Sequence, residues 1–212
     1  MIGSGSVLQG KGVHIFGDSH VENMAPGKHL LAELEKQGAP AWSNGLKNRS
    51  AISVLRDEKA TLDGELAIGP HIVLLVLGTN DVPSTNTAVA YQTLKKTIEN
   101  AGAEAWLVGP PHFPTDLEEK KALQNVALEA PIFGATWINS MSIIDRRTEG
   151  RIAPTYVHFD DVGGRRWAEG IVKELVARLA ARGRKRWRAV LGIATGLAAA
   201  CVAGVAVARM PR

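Results

Sequence analysis

Three short segments carry the residue types that acyl chemistry needs. Gly17-Asp18-Ser19-His20 follows one apolar run and Gly78-Thr79-Asn80-Asp81 follows a longer one. His158 opens the segment His158-Phe159-Asp160-Asp161-Val162-Gly163-Gly164, ahead of a helical stretch. A serine hydroxyl attacks a carbonyl carbon once a base takes its proton, and imidazole is the side chain suited to that exchange near neutrality. The charge that develops on the carbonyl oxygen calls for preorganised N–H donors, which an asparagine amide can supply. Each segment also has a plainer reading. A serine before a helix is a cap, an asparagine after a strand closes an Asx turn, and a loop histidine is simply exposed. Of the other histidines, His14 lies within a strand, His29 within a helix and His71 just before a strand, whereas His20 and His112 fall where they would line a pocket.

The elements around these segments alternate. Residues 13–16 read as a strand. Residues 27–36 read as a helix, with Leu30, Leu31 and Leu34 on one face and Gly38 just past its end. Residues 41–43 form a weak strand and residues 50–62 a helix. Residues 71–77 form the strongest strand: Ile72, Val73, Leu74, Leu75, Val76 and Leu77 are all apolar, as in a central parallel strand covered on both faces. A helix over 87–100, a strand over 105–108, a helix over 117–128, a short strand over 136–138 and a closing helix over 164–181 complete the series. This rhythm predicts an α/β fold, a three-layer sandwich around a central parallel sheet. Ligands of such sheets bind beyond the carboxyl ends of the strands, which is where Ser19 and Asn80 fall.

Taken together, order and separation included, the segments resemble the SGNH (GDSL) hydrolase family over roughly residues 10–181. Gly17-Asp18-Ser19 matches that family's first block and Gly78-Thr79-Asn80-Asp81 its third. His158 with Gly163 matches the fifth. The resemblance implies a flavodoxin-like SGNH fold and a carboxylic ester hydrolase with Ser19 as nucleophile and His158 as base. It also implies an oxyanion hole made by Asn80 and the N–H groups of Ser19 and Asn48, with no cofactor and no metal. The expected substrate is a small, acetyl-like ester on a sugar or lipid. Two positions depart from the family pattern. Gly45-Leu46-Lys47-Asn48-Arg49-Ser50 is the best fit to the second block and puts Asn48 where a glycine is usual; asparagine tolerates unusual backbone angles better than most residues. Thr155 stands where the family has Asp, three residues before the histidine. Its hydroxyl can orient an imidazole but cannot offset imidazolium charge. Asp160 and Asp161 follow the histidine and are poor substitutes, and Asp18 is a further orienting candidate. The expected centre is a Ser-His dyad, and the alternative is a weak or inactive binding or assembly module.

Composition bounds the rest. The chain has 212 residues, a net charge of +4 and a single cysteine, Cys201, so an intramolecular disulfide is excluded. Residues 182–188 hold five basic residues, and 189–208 are 20 residues without a charge. As a helix that run is about 30 Å long, the thickness of a hydrocarbon core. A basic run beside it reads as a membrane flank rather than a nucleic-acid patch. The expected organisation is a hydrolase-like domain over 1–181, a juxtamembrane linker over 182–188, a single transmembrane helix over 189–208 and a tail over 209–212. Gly192 and Gly196 form a small-residue pair that would permit a weak homodimer. Residues 1–12 lack the charged start and apolar core of a secretory signal, and the basic flank puts the domain on the cytoplasmic side.

Overall fold

The computed structural model describes residues 6–22, 25–144, 152 and 158–207, with only the backbone described at 25 and 185–207. Five parallel strands form one sheet: β1 (Val13–Gly17), β2 (Ala41–Gly45), β3 (Ile72–Val76), β4 (Glu104–Val108) and β5 (Trp137–Ile138). Their order is β2-β1-β3-β4-β5, the flavodoxin-like arrangement. β1 and β3 are buried at every position, which is why their sequences read as unbroken apolar runs.

Alternation along each strand divides the core. Phe16, Val73, Leu75, Ala105 and Leu107 form one cluster with residues of α2 (Ala51–Asp57), α3 (Lys59–Ala67), α4 (Thr85–Asn100) and α5 (Asp116–Phe133). Ile15, Ile72, Leu74 and Trp106 point the other way and are also buried. Right-handed crossovers put α1 (Ala25–Lys36) on that second face. α1 buries Leu30 and Leu34 there.

Element boundaries differ from expectation in three places. The helix expected over 50–62 is two helices, because Glu58 leaves the helical conformation at φ −127°. Ser50 caps the first of them with a reciprocal Ser53 bond. α5 runs on through Pro131 to Phe133, past the expected end. The closing helix α6 begins at Asp161 and its backbone stays helical to Val207, straight through the basic run; arginine and lysine are good helix formers, so nothing local ends it there.

The chain divides into two compact units, residues 1–175 and 176–212. In the first, the start of α6 buries Trp167, Ala168, Ile171, Val172 and Leu175, and Trp167 Nε1 donates to Ser140 Oγ at 2.6 Å. The second is helical to Val207. Among the described residues no helix is long and apolar enough to cross a membrane. The side chains of the expected span 189–208, with its Gly192/Gly196 pair, lie outside the described set.

Candidate active site

Ser19 stands just beyond β1 and is held by a tight turn: Val21 N and Glu22 N both donate to the Asp18 carbonyl. α1 starts only at Ala25, so Ser19 is not its cap. His158, just ahead of α6, brings Nε2 to 2.8 Å from Ser19 Oγ. With the ring proton on Nδ1, Nε2 accepts the hydroxyl hydrogen. Ser19 keeps 7% of its surface exposed, whereas its neighbours Asp18 and His20 keep 1% each, so of the three the serine is the one that substrate can reach.

Asp18 and His20 back this pair. Asp18 Oδ1 accepts from the backbone N–H of His20 at 2.9 Å and lies 3.1 Å from its Nδ1. The His20 ring packs 5.3 Å from that of His158 and also against Phe159 and Trp167. His20 therefore forms the wall behind the histidine and does not line an open pocket. His112, the other pocket candidate, pairs with Glu119 at 2.5 Å. A cavity of about 250 Å³ beside Asn80 is lined by Thr79, Phe113, Glu118 and Lys121, and His112 is not part of its wall.

The second-block loop crosses β1 closely. Leu46 N donates to the Gly17 carbonyl at 3.1 Å. Asn48 takes φ 62°, the only described non-glycine residue in the left-handed region. A glycine-like conformation is thus kept at the position where the resemblance expected glycine, with asparagine bearing a modest strain. Asn80 donates its side-chain amide to the Arg49 carbonyl at 3.2 Å, which joins the loop after β3 to the loop carrying Asn48. The loop is closed on itself by Asp81, whose Oδ2 accepts from Gly78 N at 3.1 Å. Asp160 accepts from Gly163 N at 2.9 Å as the start of α6, and Asp161 pairs with His29 Nε2 at 2.8 Å, so both acids are engaged away from the imidazole. Thr155 lies outside the described residues. Among the described residues no group of three or more His, Cys, Asp or Glu side chains is placed to hold a metal ion.

Comparison with solved structures gives the same architecture. An α/β hydrolase enzyme, LAE5, from the metagenome of Lake Arreo in Spain superposes with TM-score 0.63 at 14% identity, covering 81% of this chain and 97% of that one. A proposed SGNH hydrolase from Slackia heliotrinireducens gives 0.62 at 14%, covering 78% and 98%. The chain has the SGNH hydrolase fold. Axe2, an acetylxylan esterase from Geobacillus stearothermophilus, gives 0.65 at 13%, covering 80% and 95%. No family model matches the sequence, and no curated protein matches it.

In this SGNH fold the loop after β3 rests on a buried polar network that the sequence pattern did not reveal. Asn125 Nδ2 of α5 donates to the carbonyls of Gly78 and Asp81 at 2.8 and 3.0 Å. Asp81 also accepts from Ala51 N and from the Tyr91 hydroxyl, both at 2.9 Å. Glu129 is fully buried next to Gly78. A Cβ on Gly78 would stand 2.7 Å from Glu129 Oε1, at a φ of +108° that only glycine takes easily. Asn125, Glu129 and Phe133 recur at helical spacing after Ala122, so the readable signal was two polar residues within an inward stripe.

Burial, with the Asp81 carboxylate beside it, pushes the Glu129 pKa up to about 8 from an ordinary 4.5. The folded state therefore keeps a proton that the unfolded chain releases. The stability this group contributes is complete below about pH 4.5 and is lost as pH rises through about 8. The midpoint of urea unfolding is expected to fall between about pH 5 and about pH 9, and Glu129→Gln is expected to flatten that fall, at about 1.4 kcal/mol per pH unit of pKa displacement. Parallel pH profiles for the two proteins would contradict this assignment.

Proposed function

We propose that the protein is a serine ester hydrolase acting on a small acyl ester through an acyl-enzyme on Ser19. The single observation that carries this reading is the 2.8 Å approach of His158 Nε2 to Ser19 Oγ across 139 residues of sequence. His158 takes the hydroxyl proton as Ser19 Oγ bonds to the carbonyl carbon. Asn80 and the N–H groups of Ser19 and Asn48 receive the oxyanion. The carbon–oxygen bond to the alcohol then breaks, and the alcohol leaves with the proton from His158. Water repeats the cycle on the acyl-enzyme and releases the acid. The modest cavity beside Asn80 favours a short acyl group, acetyl above all, on a sugar or a lipid. The acetylxylan esterase Axe2 is a precedent for that class on this fold.

The test is hydrolysis of p-nitrophenyl esters of increasing chain length by the full chain in detergent. Turnover should be fastest with acetate and fall as the acyl group lengthens. A folded protein inert toward every activated ester would favour the second reading, an inactive binding or assembly module.

We also propose a single-pass anchor over residues 189–208, with the hydrolase domain on the cytoplasmic side because the basic run precedes the span. The full chain should then stay with membranes through a high-salt wash, since apolar burial is not screened. Basic residues alone hold anionic lipid by about 1 kcal/mol each near the surface, and salt removes that attraction. Release by salt would leave a peripheral protein and defeat the anchor.

A further inference from the structure

Arg49 is buried beneath the loops that carry the site, and each of its five guanidinium N–H groups has an acceptor. Nε donates to Glu58 at 3.0 and 3.2 Å. One terminal nitrogen donates to the carbonyls of Gly17 and Asn44, both at 2.7 Å. The other donates to Asn44 Oδ1 at 2.9 Å and to the Glu58 carboxylate. The guanidinium carbon lies 4.0 Å over the Phe16 ring. With no donor left over, this cation is not built to bind substrate.

The acceptors belong to separate parts of the chain: the last residue of β1, just ahead of the nucleophile turn, the end of β2, and the junction of α2 with α3. The main chain of the same residue bears on the oxyanion side, since its carbonyl accepts the Asn80 amide at 3.2 Å. Asn48, with its left-handed backbone, immediately precedes it. An asparagine amide has two N–H bonds, so one held by the Arg49 carbonyl leaves the other free for a developing oxyanion. A buried ion pair is weak as a source of stability alone, because apolar residues of similar volume often do as well. A fork satisfied on all sides does something an apolar residue cannot: it fixes three segments relative to one another.

We infer that Arg49 is a positioning residue of the hydrolytic centre, its guanidinium fixing the end of β1 from which the Ser19 turn departs and its backbone carbonyl aiming the Asn80 amide, so that the nucleophile and the oxyanion hole are set by one residue. This rests on the esterase reading above.

Arg49→Lys keeps the charge but offers three donors in place of a planar fork of five. Its kcat on p-nitrophenyl acetate is expected to fall about 10- to 100-fold with KM changed less than about threefold, below the loss seen when an oxyanion donor is removed outright. Glu58→Gln is the control for stability: it weakens the ion pair but leaves both carbonyl anchors, so it should lower the melting temperature and spare kcat. Should Arg49→Lys fail to fold, Arg49→Gln in the Glu58→Gln background removes both charges together with the fork that holds the Gly17 and Asn44 carbonyls, and should reduce kcat in the same direction. The Asn80 side-chain amide, identified in ¹⁵N spectra by its loss in Asn80→Asp, should shift and exchange faster in Arg49→Lys and stay put in Glu58→Gln. An Arg49→Lys protein that melts earlier but keeps its kcat and its Asn80 signals would overturn the inference. If the unaltered protein shows no turnover, the esterase reading fails by itself, and the Asn80 signals still decide whether Arg49 positions that amide.

Discussion

A Ser19→Ala protein is expected to lose between about 100-fold and about 10⁶-fold of its turnover of p-nitrophenyl acetate while keeping its fold. The upper limit is what removal of the nucleophile costs a complete serine triad. The lower limit follows from the threonine at position 155. An aspartate in the usual place supplies up to about 10⁴ of the effect, so a centre without it retains about 100-fold for the serine to lose. The fold should survive because the turn is held by the backbone of Asp18, Val21 and Glu22 and not by the serine hydroxyl. Equal rates for the two proteins would remove Ser19 from the mechanism.

The same arithmetic sets the second effect. Thr155→Asp is expected to raise kcat by roughly one to four decades, because a carboxylate can both hold the imidazole tautomer and stabilise its cationic form, whereas a hydroxyl does only the first. The gain should be confined to kcat, and the pKa of His158 should rise in the acid limb of the rate profile, since a nearby negative charge favours the imidazolium. A folded variant with an unchanged or lower rate would mean that another group already performs the task. The two effects are tied: the larger the gain from Thr155→Asp, the smaller the loss Ser19→Ala can show in the native background.

Much of this architecture was legible because it follows from burial. Residues 72–77 are uniformly apolar, as a central strand covered on both faces must be, and right-handed crossovers give the three layers; the strand order is that of the flavodoxin-like fold the resemblance implied. β5, Trp137–Ile138, lies within the short strand read over 136–138. The break at Glu58 and the extension through Pro131 run against local pattern, since 50–62 has one helical periodicity and proline ordinarily ends a helix. Within the site, Ser19, Asn80 and His158 were legible because each sits in a short motif at a strand end or helix start. Arg49, Asn125 and Glu129 were not, since a charged or amide side chain in isolation reads as solvent-facing. Only the fold reveals that each is buried and where its partners are. His20 illustrates the reverse error: its place on the active edge predicted a pocket wall, but Phe159 and Trp167 cover it.

The central claim is that Ser19, activated by His158, forms a covalent acyl-enzyme. A fluorophosphonate reacts with a serine only when a base and an oxyanion hole act on it together. After treatment of the full chain, peptide mass spectrometry should find a single phosphonyl adduct, on Ser19. The adduct should be lost in Ser19→Ala and strongly slowed in His158→Ala. An unmodified Ser19 in the folded, untreated-level population, or an adduct on a different residue, would contradict the account.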